Sequence, residues 1–71
     1  MTTAELRRLA ADAEIGLDWF AAAHYWDAAA DAYPEMLRAG ALAERDIAKM
    51  RERAQACRDY AKHLFAMDAA E

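Results

Sequence analysis

Apolar residues return every three or four positions along most of the chain, the period of a helix with one covered face. From about residue 41 to 68 the series Ile47, Met50, Ala54, Cys57, Ala61 and Leu64 keeps that rhythm with no Gly or Pro, which predicts one long helix with a bundle-type seam. Upstream, Leu6, Leu9, Ala13, Gly16 or Leu17, Phe20 and Ala23 repeat it. Thr2 or Thr3 supplies a cap, with Glu5 in the first turn, so the pattern predicts a first arm over roughly 3 to 32. Gly16 counts as a weak interruption, because the alanines at 21–23 and 28–30 favour helix strongly. Between the arms, Pro34 disfavours helix at Tyr33 but suits a first turn with Glu35, and Gly40 is a natural stop. Residues 34–39 therefore predict a short helical turn.

These elements predict an all-α fold: an antiparallel hairpin of two long helices, or a three-helix bundle if the first arm breaks near His24. Composition excludes the alternatives. Two Ile, two Thr and no Val leave a sheet without strand formers, and 71 residues suffice for a single helical domain, 1–71. Alanine occupies 21 positions, so only 20 other apolar residues remain and the core is thin. Folding the arms back about residue 37 sets Phe20 opposite Ala54, Asp12 near Lys62 and Asp18 within reach of Arg58.

Charge refines this picture. The formal net charge is −4, which disfavours general binding to nucleic acid or anionic lipid. No Lys or Arg falls between Leu9 and Leu37, whereas Arg38 to Lys62 is mildly basic, so the two halves attract each other. No apolar run is long enough to span a membrane. A single cysteine cannot close an intrachain disulfide, and the opening Met-Thr-Thr-Ala-Glu has no basic-then-apolar leader; the expected setting is cytoplasmic. Cys57 sits in the seam of the second arm and is expected to be a buried structural thiol.

The most distinctive feature is aromatic. Ile15, Trp19, Ala22, Trp26, Ala29 and Tyr33 form a second stripe, about 100° around the helix from the first. One partner helix cannot cover both stripes. Either the arm breaks and folds the second stripe into a three-helix core, or Trp19, Trp26 and Tyr33 form an interface with a second copy or a larger protein. The run His24-Tyr25-Trp26-Asp27-Ala28-Ala29-Ala30-Asp31-Ala32-Tyr33 resembles the turn and second helix of a tetratricopeptide hairpin, or the similar region of microtubule-interacting and trafficking domains. That resemblance covers about ten residues, with His24 in place of the usual turn glycine and Pro34 where the helix should continue. It implies a module that binds peptides or helices of other proteins.

Candidate chemistry is sparse. His24, Asp27 and Asp31 share a helix face, as do Asp59 and His63, but the predicted hairpin keeps the two sets several turns apart; no metal and no cofactor are expected. Asp27, Asp31 and Glu35 form a like-charge row, tolerated or kept to meet something basic. Arg45, Lys49 and Arg53 form a basic ridge with acids interleaved. No nucleophile set, phosphate loop or convergent carboxylate pair is present, so no enzyme activity is expected. The sequence points to a small protein-interaction module or regulator, self-associating or docking on a larger protein through Ile15, Trp19, Trp26 and Tyr33, with Asp27 and Asp31 beside them. The rival is an acidic nucleic-acid mimic or a small DNA-binding regulator.

Overall fold

The computed structural model describes residues 1–70, with side chains through Asp68. It is all-α. Helix α1 spans Thr3–Ile15, α2 Trp19–Asp31 and α3 Ala41–Ala70, with one 3-10 turn at Glu35–Leu37 between the last two. The predicted arm over 3–32 is thus divided, and at 16–18 rather than near His24, which lies exposed inside α2. The decaresidue run that resembles a tetratricopeptide turn and helix is accordingly all within α2 or just past its end, and contains no inter-helix turn.

The break has a local physical cause. Gly16 is the C-cap that follows α1, and Leu17 takes a left-handed conformation at φ 61°. The Leu17 N–H donates to the Glu14 carbonyl at 3.0 Å and the Asp18 N–H to the Ala13 carbonyl at 2.9 Å, the double closure of a Schellman motif. Asp18 then starts the next helix, its carboxylate accepting from the Ala21 N–H at 3.2 Å. A stop and a start lie back to back, and they outweigh the helix propensity of the alanines that follow. At the other end Thr2, one of the two caps the sequence offers, completes a capping box on α1 with Glu5. The Thr2 bonds hold the Glu5 carboxyl below its ordinary range.

Helix α2 is central, with α1 and α3 packed on it in a flattened body of 49 × 20 × 13 Å. Thr3 fastens the start of α1 to the end of α2, its hydroxyl donating to the Ala29 carbonyl at 3.0 Å. After α2, Pro34 opens the 3-10 turn, and the Arg38 guanidinium folds back to donate to the carbonyls of Asp31 and Tyr33, satisfying exposed acceptors at the helix end. The predicted connector over 34–39 is present.

Among the described residues, eight of the eleven buried hydrophobic ones are alanines: Ala10, Ala22, Ala23, Ala29, Ala30, Ala43, Ala54 and Ala61, joined by Leu6, Met50 and Cys57. Small side chains let helix backbones approach closely, but each removes little apolar surface from water, at about 0.8 kcal/mol per buried CH₂. Half-buried aromatics supply the missing area. Trp26 packs against both buried clusters, one around Leu6, Ala29, Ala30 and Met50, the other around Ala22, Ala23, Ala54 and Cys57. The α3 seam predicted from periodicity is the one that packs, from half-buried Ile47 through Ala61.

The register differs from the one the sequence predicts. Tyr33 meets Asp46 and Trp19 meets Tyr60, so the α2–α3 pair folds about a point between residues 39 and 40. Phe20 is exposed instead of facing Ala54, and Arg58 pairs with Asp27 instead of Asp18. The break is the reason: α3 now pairs with a short helix that starts at Trp19, and α1 no longer continues that line. Beyond Ala61, α3 runs past the α1–α2 turn, where Leu17, Phe20, Leu64 and Phe65 line a shallow hollow.

Leu17 is 70% exposed while paying for a left-handed backbone. Replacing it with glycine is expected to stabilise the fold by about 1 kcal/mol, because the steric cost disappears and little burial is lost. Thermal unfolding followed by circular dichroism should show Tm rising by roughly 4–8 °C for a domain of this size. An unchanged or lower Tm would contradict the strained reversal.

Candidate protein-docking groove

The second aromatic stripe lies between the two flanking helices. Trp19, Trp26 and Tyr33 point along the side of α2 that α1 and α3 straddle, and all three are half-buried. Folding α1 back and laying α3 alongside thus covers much of a stripe that a continuous first arm would leave bare. What results is an open groove with indoles along its floor.

Each aromatic has a defined partner. The Trp26 indole N–H donates to Glu14 Oε2 of α1 at 2.8 Å. The Trp19 ring meets Tyr60 of α3 edge to face, centroids 4.8 Å apart, a geometry favoured by the ring quadrupoles. The Tyr33 hydroxyl donates to Asp46 Oδ2 at a long 3.4 Å. Ile15, predicted to belong to the stripe, is the last residue of α1 and 81% exposed, turned away by the break that follows it.

Glu14 is the link across the groove. Its two oxygens accept from Arg53 of α3, at 3.1 Å from Nε and 2.6 Å from the terminal nitrogen, while one of them also receives the Trp26 N–H. Only 15% of its side chain remains accessible, against 58% of Arg53. The Arg53 hydrogen bond holds the Glu14 carboxyl below its ordinary range, burial opposes this, and the Trp26 bond adds to it. The same bond raises Arg53. One carboxylate thereby fixes an indole and joins the two helices that flank α2. Sequence periodicity gave no sign of it, since Glu14 lies off both apolar stripes.

This link divides the groove into two hollows that share Arg53. One, of about 290 Å³, is lined by Arg7, Trp26, Asp46, Lys49, Met50 and Arg53. The other, of about 340 Å³, is lined by Glu14, Trp19, Arg53, Ala56, Cys57 and Tyr60. Cys57 lies buried at the base of the second, and burial pushes its thiol up, away from the thiolate form that nucleophilic chemistry needs.

The acidic row has a partner inside the chain. Arg51 reaches Asp31 at 2.8 Å and Asp27 at 3.7 Å, and Arg58 also binds Asp27. These pairs lie on α2 and α3 alone, and they engage two of the three acids of the row, Asp27 and Asp31. Asp59 accepts from Gln55, so neither of the two His/Asp sets keeps all its side chains free, and no group of three or more metal-ligating side chains converges among the described residues. Among the described residues no helix is long and apolar enough to cross a membrane.

The chain matches no protein-family model, and no curated protein or solved structure is significantly similar to it.

Because Glu14 has a lowered carboxyl in the folded state, its contribution to stability is full above the unfolded value near 4.5 and is lost as pH falls through the lower folded value. Glu14→Gln should therefore cost up to about 1 kcal/mol at pH 7 and little at pH 3, since the partner cation is exposed and screened. Urea unfolding at both pH values checks this. An equal loss at both would contradict the charged link.

Proposed function

We propose that this chain is a non-enzymatic protein-interaction module that receives a segment of another polypeptide on the aromatic face of α2, between α1 and α3. The observation that carries this reading is the pair of half-buried indoles on the groove floor, Trp26 and Trp19, each held by a neighbour and each opening onto a hollow. Anchored Trp residues give a large contact area at small entropic cost, and such residues dominate binding energy once fully desolvated. The volumes suit individual apolar side chains from a docking segment. Catalysis finds less support: the one thiol is pushed away from its reactive form, and the acids beside it are tied in ion pairs. An acidic mimic of nucleic acid is disfavoured on the same ground, since Arg51 and Arg58 already neutralise Asp27 and Asp31.

A photo-crosslinking amino acid placed at Lys49, on the groove rim, and separately at Glu52, exposed on α3 and outside both hollows, tests this in the native cells. Crosslinked polypeptide at position 49 and little at 52 is the expected result, and its mass distinguishes a second copy from a different protein. Equal labelling at both positions, or none at either, would contradict the groove.

A further inference from the structure

Resting on the groove reading, we infer that the segment it receives is an acidic peptide with an apolar anchor, the anchor seated on Trp26 and Met50 and its flanking carboxylates held by Arg7 and Lys49. The first hollow is where the chain departs most from its own average. The whole protein carries a net charge of −4, yet this hollow is lined by three cations, Arg7, Lys49 and Arg53, against one acid, Asp46.

Arg53 is committed to Glu14, but Arg7 and Lys49 form no ion pair among the described residues. They stand on different helices, α1 and α3, one on each wall, with the indole between them. The Arg51 and Arg58 cations on α3, by contrast, are spent on α2. A ligand that places an apolar side chain between two walls of unspent positive charge meets both demands only if carboxylates flank that side chain. A basic or neutral segment would bury its anchor equally well but leave both cations without a partner, and a basic one would be repelled. Nucleic acid would satisfy the cations, but the interleaved Asp46 and the acidic remainder of the surface oppose an extended phosphate chain.

The test uses two synthetic 12-residue peptides that share a central Leu-Phe anchor, flanked by Glu in one and by Gln in the other. Binding to the full chain is read from the Trp26 indole N–H resonance and from intrinsic fluorescence. The Glu peptide is expected to bind roughly tenfold more tightly than its Gln twin, the gain of two exposed charge pairs. That advantage should vanish in the Arg7→Ala/Lys49→Ala double variant, whose two sites are exposed and outside the core, and in 0.5 M salt. If both peptides bind with equal affinity and shift Trp26, the acidic specificity is overturned while the groove stands. If neither shifts Trp26, both fall. A duplex DNA oligonucleotide that shifts Trp26 more strongly than the Glu peptide would also overturn the proposal.

Discussion

The reversal at Gly16, Leu17 and Asp18 governs everything downstream of it. Two carbonyls at the end of α1 are closed by the Leu17 and Asp18 N–H groups, and the Ala21 N–H in the first turn of α2 is closed by the Asp18 carboxylate. Without that exchange of hydrogen bonds, residues 3–32 would extend as a rod and the indoles would face water along its flank. With it, α1 returns along α2 and becomes one wall of a groove. The strain at Leu17 is a local cost, offset by the burial of Leu6 and Ala10 that the fold-back permits.

Close packing by alanine then explains why the groove stays open. Ala22, Ala29, Ala30 and Ala54 bring backbones together without filling the space between the outer walls, and among the described residues no large side chain is completely enclosed. The aromatics are left to cover the gap, half in and half out. Glu14 holds this arrangement at its midpoint by serving a helix on each side and the indole beneath, so the groove's width and the position of Trp26 depend on one carboxylate.

Much of the architecture was legible in the pattern of residues. The α3 seam, the Thr2–Glu5 cap, the Pro34 connector, the burial of Cys57 and the all-α class follow from periodicity and capping chemistry. The need to cover two apolar stripes was also visible. What periodicity missed was the position of the break, because glycine sat one residue before the left-handed position and leucine occupied it, so the usual glycine signal pointed to a weak flaw and not a turn. Asp18, with its carboxylate three residues before Ala21, was the available sign. The pairing of charges depends on the same break: the register that sets Arg58 against Asp27 exists because α2 starts at Trp19. The Glu14 link, and the absence of an ion pair at Arg7 and Lys49 among the described residues, belong to contacts between elements far apart in sequence, which no local pattern encodes.

The central claim is that α1 folds back on α2. Nuclear Overhauser contacts between Thr3 and Ala29 test it most directly, since a continuous helix would hold residues 26 apart in sequence at about 39 Å. Clear cross-peaks between Thr3 and Ala29 are expected. Their absence, with unbroken helical connectivities from Ala13 through Ala22, would contradict it.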